Sequence, residues 1–575
     1  MSRTSWSSAI LWLVLCAGAI AEEMAASVFE SPVPPAPVGQ LDRIVFAKLA
    51  SLGIKPALCS DAVFIRRAYL DVIGTLPTSE EVREFLADQD KNKRRALIER
   101  LLARDEFADY WSMKWGDILR IKAEFPVNLW PNAAQAYHRW LRAAIVDNKP
   151  YDKFARELLT SSGSNFRVGP VNFYRAVQNR TPDGIASAVA LTLMGTRTDA
   201  WPKEKLDGMA AFFSQIGYKP TREWKEEDVF WDPMHTSPAP TQGAQAQPDK
   251  EKKDEKPALP VEPGPLPAVF PDGTKVTLSP NRDPREVFAD WLITPKNPWF
   301  TKAIANRVWG WLLGRGIIHE PDDIRPNNPP SNPELLAYLE KELIDSHYNV
   351  RHLYRLILNS STYQFSSVPR FKGPQAEANF ASYPLRRLDA EVLIDAINKI
   401  TGASDLYTSA IPEPFTYIPK DKPAIAVADG SISSQFLTLF GRSARATGMD
   451  NERINKPVPA QWLHLLNSSH IQRKLDQGPN MKALFNPKRK PEEVIEELYL
   501  TILSRPPTEE EAANLKQFGT IFYPKPPKPP KPPKPAKGVK AKPVPPPKPY
   551  LWKTREDWID ITWSLINSTE FIYRH

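Results

Sequence analysis

Cysteine is nearly absent from this chain: 575 residues carry two, Cys16 and Cys59. That excludes a disulfide framework, a cysteine-based zinc site and the C-x-x-C-H attachment of a covalent haem. Histidine is scarce as well, eight in all, and none forms H-E-x-x-H. His347 and His352 are five apart and His464 and His470 six apart, so neither pair repeats the four-residue spacing of helical metal ligands. Long apolar runs are missing. The stretch Ala9 to Ala17 falls far short of the ~20 residues that span a bilayer, and no later stretch is longer and equally apolar. A charge excess spread over the fold is missing too. The net charge is +8, and eight lysines between Pro524 and Pro549 (Lys525 to Lys548, with no acidic residue among them) account for all of it. A nucleic-acid-binding face would keep its excess without such a tract, so no nucleic-acid partner is expected.

What is present reads as helix. Arg3, the short apolar run and Ala19-Ile20-Ala21 together predict a secretory signal peptide over residues 1–21, cut after Ala21. The expected location is therefore extracytoplasmic, periplasmic or secreted. A Pro-rich spacer over 22–40 follows, then a first helical lobe over 41–220. Apolar residues at three-and-four spacing predict helices at Lys93–Leu102, Tyr110–Leu119, Ala133–Val146, Tyr151–Leu159, Thr181–Met194 and Glu204–Phe213. Asp61 is placed to cap the helix carrying Val63 and Leu70. Residues 221–282 are expected to be a disordered linker, poor in apolar residues and rich in Pro, Lys and Glu, ending in a short hairpin around Asp272-Gly273. A second helical lobe, 283–575, opens on the Asp283-Pro284 cap and is interrupted by the Lys/Pro-rich insert 524–549. The fold class is mainly α: two helical lobes joined by a disordered linker, with little β structure.

Two internal echoes stand out. Thr78 and Thr508 each follow a proline and precede a glutamate three residues on, the pattern of a capping box. Asn359-Ser360, Asn467-Ser468 and Asn567-Ser568 each close an apolar run, where asparagine suits a left-handed helix exit.

The candidate chemistry is thin. Asp322-Asp323 sits in a proline-rich loop where acid–base carboxylates or a hard cation would fit. The alternative, which common structural ion pairs favour, is a turn cap or pairing with Arg315 or Arg325. Arg66 and Arg67 could bind an anionic sugar or phosphate, but Arg67 and Asp71 stand four apart, the spacing of an intrahelical ion pair. Asn306 and Arg307 are flanked by Trp309 and Trp311, which are expected to pack the core rather than stack on sugar. Gly314-Arg315-Gly316 lacks the third glycine and the preceding strand of a dinucleotide fingerprint.

The run from Ile65 through Arg66-Arg67-Ala68-Tyr69-Leu70-Asp71 to Leu76-Pro77-Thr78 resembles the opening of a planctomycete-type family of unknown function. It is the one numbered fifteen-forty-nine, also called the second planctomycete cytochrome-associated (PSCyt-type) domain. The second lobe resembles its usual partner, numbered fifteen-fifty-three, through Ala289-Asp290-Trp291-Leu292, Asn306-Arg307-Val308-Trp309, Gly314-Arg315-Gly316, Asp322-Asp323-Ile324-Arg325 and Ser360-Ser361-Thr362-Tyr363. Many relatives carry a haem motif after the position of Gly195-Thr196-Arg197, where this chain has Thr198-Asp199-Ala200-Trp201-Pro202. Many also carry paired cysteines where it has Gly448 to Arg453. The chain thus reads as a variant without haem cysteines, and no cofactor is expected. The functional expectation is a secreted interaction or scaffold protein of the cell envelope, contacting polysaccharide or another secreted protein. The alternatives are a carboxylate-dependent hydrolase of an extracellular polymer and a non-haem partner of a c-type cytochrome.

Overall fold

The computed structural model describes residues 28–234, 264–522 and 550–575. The expected signal peptide, residues 235–263 of the linker and the Lys/Pro tract lie outside the described residues. The described residues are mainly helical, 51% helix against 6% strand, and form two domains. No helix among the described residues is long and apolar enough to cross a membrane.

Local chemistry places most helix boundaries. Thr78 and Thr508 both close full capping boxes, with Glu81 and Glu511 bonding back to the threonine N–H. Asp283 and Asn332 cap the helices Pro284–Leu292 and Pro333–Asp345, each with proline in the first turn. Gly195, Gly314 and Gly402 end helices in the left-handed region, where a Cβ is disfavoured.

Three expectations need correction. Ser60, not Asp61, caps the helix Asp61–Val72, by accepting from the Val63 N–H, while Asp61 pairs with Lys93 and Arg94. The Asn-Ser motifs are not left-handed exits. Asn359 and Asn567 have φ of −84° and −88°, and each donates its amide N–H to the carbonyl four residues back, at 2.8 Å. The serine does the other half of the work: Ser468 and Ser568 cap the helices that follow. Finally, the segment assigned to the linker from residue 221 is structured at its start. Glu227–Trp231 is the centre of a three-stranded antiparallel sheet between Gly163–Ser164 and Ile216–Pro220, with Tyr218 opposite Val229. The hairpin is present as Leu266–Val269 paired with Lys275–Leu278, turning at Gly273 with φ of 92°.

One continuous apolar core runs through both domains. Trp111 and Trp115 on the helix Asp105–Ile118 meet Trp311 from Phe300–Leu313 at ring-centroid distances of 5.4 and 5.6 Å. Trp111 also meets Tyr354 of Val350–Leu358 at 4.3 Å. Indoles and phenols supply large apolar area with fixed geometry, which suits a seam between helices. Beside them lies a buried ion network drawn from both domains. Arg574 joins Asp71 (3.0 Å) to Asp389 (2.8 Å), and Lys114 also pairs with Asp389 (2.9 Å). Arg453 joins Asp117 (2.7 Å) to Glu391 (2.6 Å), with Arg445 on Asp117 and Arg442 on Glu391. Burial alone would raise these carboxylates. The cations override it and hold Asp117 and Glu391 low, and Asp389 well below the usual range.

Candidate functional site

Between the domains lies a cleft of about 810 Å³. Gly195, just before the lining residue Thr196, joins its two sides. The helix Pro182–Met194 ends there, the Gly195 carbonyl accepts from the Ile324 N–H at 2.9 Å, and an added Cβ would come within 3.0 Å of Ile324 and of the Pro321 carbonyl. This close approach brings the 321–330 loop of one domain against the 196–201 turn of the other. On the opposite side Asn297 accepts from the N–H groups of Trp299 and Phe300 (3.0 and 3.2 Å), which sets the start of the next helix and the position of Trp299.

The lining combines indoles with cations. The Lys205 ammonium stands 4.2 Å from the Trp201 ring and 5.6 Å from the Trp299 ring, within cation–π range of both. Burial holds this lysine below its ordinary range, and Asp272 partly opposes the shift. Lys205 is joined by Arg197, Lys302 and Arg325, against the carboxylates Asp199 and Asp323. The lining is therefore mixed aromatic and charged, with cations in excess of carboxylates.

Of the candidate catalytic and binding residues read from sequence, Asp323 alone lines this cleft, together with Thr196, Arg197 and Asp199 to Trp201 from the segment where many relatives carry a haem motif. Its carboxylate pairs with Arg325 (3.1 Å) and Arg197 (3.5 Å). Asp322 points the other way. It is 5% exposed, accepts from Arg307 Nη2 at 2.7 Å and from the Asp450 N–H at 2.7 Å, and pairs with neither Arg315 nor Arg325. Arg307 also donates to the carbonyls of Thr192 and Leu191, so it ties the two domains together. Asn306 holds both backbone groups of Ile318 at 2.9 Å. Trp309 is fully buried, and Trp311 donates to Asp450 Oδ1 at 3.0 Å.

Arg66 and Arg67 are buried and donate to backbone carbonyls. Arg66 donates to the carbonyls of Ile502 and Phe571, and Arg67 to those of Tyr363, Phe365 and His575, with its guanidinium 3.9 Å from the Tyr383 ring. The expected Arg67–Asp71 pair gives way to this arrangement. Asp71 instead accepts from Tyr363, Tyr383 and Arg574.

Sequence reasoning missed the aromatic and cationic lining, because Trp201 and Lys205 stand far in the chain from Trp299 and Lys302 and share no motif with them. The signal present was that Trp201 lies in the Thr198–Pro202 segment, which stands where many relatives carry a haem motif. It also missed Asp450, whose carboxyl is pushed up by burial and by neighbouring Asp322. The one available signal was its place in the Gly448–Arg453 segment.

The family model described as Protein of unknown function (DUF1549), PSCyt2, matches residues 40–217, and that described as Protein of unknown function (DUF1553), PSD1, matches residues 284–519. No curated protein and no solved structure matches the chain. The cleft is formed where the two matched regions meet, with Thr196 to Lys205 from the first and Pro298 to Pro330 from the second. The chain therefore belongs to these paired families of unknown function, DUF1549 and DUF1553.

Proposed function

We propose that the protein is an extracytoplasmic binding protein of the cell envelope whose interdomain cleft takes an anionic polysaccharide. The observation that carries this reading is the Lys205 ammonium set between two indoles in a cleft with four cations and two carboxylates. Tryptophan faces stack on the apolar faces of sugar rings, and the surrounding cations match carboxylate or sulfate groups on such a polymer. Catalysis is the second reading, favoured only by the presence of Asp323 in the lining. Its oxygens are engaged by two arginines, and Asp322 is engaged by Arg307. A free acid–base pair is not what that geometry offers. A role as non-haem partner of a c-type cytochrome rests on family resemblance alone.

A glycan array run beside a hydrolysis screen on the same preparation tests the proposal. Binding to uronate- or sulfate-bearing glycans should fall at least about tenfold in Trp201→Ala and Lys205→Ala, with the exposed Trp224→Ala unaffected. Equal binding by all four proteins would remove the cleft from consideration. Turnover that disappears in Asp323→Asn would promote the hydrolase.

A further inference from the structure

The helices Pro459–Asn467 and Ser469–Gln477 meet at Ser468, whose hydroxyl accepts from the Ile471 N–H. This tight corner brings His464 and His470 together, with His464 Nε2 lying 3.4 Å from His470 Nδ1. The other nitrogen of His470, Nε2, is 2.7 Å from Asp405 Oδ1, and Asp405 is in turn held by Lys474 and by the Asn398 amide, both at 3.1 Å. An imidazole that donates Nε2–H to a carboxylate has its lone pair on Nδ1, here facing the second imidazole. Rings of Phe436 and Phe440 pack edge-on against His464 at 5.6 and 6.2 Å and limit its rotation.

The separation is long for a hydrogen bond between ring nitrogens. It equals the distance between two imidazole nitrogens on one tetrahedral ion, about 3.3–3.4 Å for zinc–nitrogen bonds of ~2.0–2.1 Å. We propose that His464 and His470 form a two-histidine seat for a divalent transition metal ion, zinc or copper, oriented through His470 by Asp405. No three His, Cys, Asp or Glu side chains converge as a metal site among the described residues, so the chain supplies two donors and water or a ligand completes the shell. The remaining positions open into a cleft of about 570 Å³ lined by Arg473 and Lys474 as well as the histidines. Those cations oppose a bare dication and favour an anionic co-ligand, a carboxylate or phosphate, beside the metal. The cleft shares no lining residue with the interdomain one, so the two proposals stand separately.

Zinc titration calorimetry on the full chain, first stripped with chelator, tests the seat. One zinc per chain is expected, with affinity lowered at least about tenfold in His464→Ala and in His470→Ala. Asp405→Asn should lower it by about 10–100-fold, the usual effect of losing a carboxylate behind a metal-bound histidine. Thermal melts confirm that each variant folds. Copper loaded into the unaltered protein gives a measure that needs no variant, since its electron paramagnetic resonance should show coupling to two imidazole nitrogens. Absent zinc binding, unchanged affinity in either alanine variant, or a copper spectrum with fewer than two nitrogens would overturn the assignment.

Discussion

Replacing Asp322 by Asn would leave the Arg307 guanidinium, fully buried, without its counter-charge. Removing one partner of a buried pair costs about 3–5 kcal/mol, whereas loss of a partly exposed pair costs under about 1 kcal/mol. Asp322→Asn should therefore lower the urea midpoint sharply, and Asp323→Asn, whose partners Arg197 and Arg325 are partly exposed, only slightly. Equal shifts would contradict these separate roles. The sequence supported pairing for both aspartates, but it offered only the nearest arginines. Arg307 reaches Asp322 because the intervening chain doubles back, which no local spacing encodes. Asp395 carries a second residue-level prediction. Burial, joined by the charges of Glu391 and Asp405, pushes its carboxyl up to about 7, although it accepts from the N–H groups of Ala424 and Ile425. A folded-state value above the unfolded one near ~3.9 means that the stability contributed by proton binding is complete at acid pH and lost as pH rises toward 7. The melting temperature of Asp395→Asn should thus gain on that of the unaltered protein between pH 5 and pH 8. A constant difference across that range would refute the shift.

At the scale of elements, amphipathic spacing was a reliable guide. Lys93–Leu102 has the expected bounds, and the threonine boxes form as their sequence implies. Thr78→Ala and Thr508→Ala should each cost ~1 kcal/mol, read from thermal or urea unfolding, with Ser replacements close to neutral. The strands were harder to see. Ile216–Pro220 and Glu227–Trp231 contain Gly, Lys, Pro and two acidic residues, and their partly buried faces give weak alternation. Their pairing is supported by side chains outside the strands: Asn165 accepts from the Glu227 N–H at 2.9 Å, and Thr221 donates to Glu226 at 2.7 Å. The asparagine–serine repeat was correctly located but misread in conformation. Asparagine can turn its amide back onto its own helix, and that bond stabilises a right-handed end without positive φ.

Across the whole molecule, the two matched regions share one apolar core and a set of buried ion pairs. Asp71, Lys114 and Asp117 of the first are neutralised by Arg574, Asp389, Arg445 and Arg453, contributed from the second domain and the residues beyond its family match. A fragment of residues 284–575 should accordingly expose apolar surface and lack a sharp thermal transition, while mixing it with residues 28–234 should restore one. Two independent sharp transitions from the separate fragments would show the interface to be dispensable. The length of chain between partners has a consequence in time. Arg66 and the Phe571 carbonyl that accepts from it are 505 residues apart. At ~5–20 residues per second of synthesis, roughly 25–100 s separate their appearance at the ribosome. Until that interval ends, Arg66 lacks the Phe571 carbonyl and Arg67 that of His575, although their other acceptors are made earlier, so the nascent chain waits, unclosed, for the helix Thr569–Ile572.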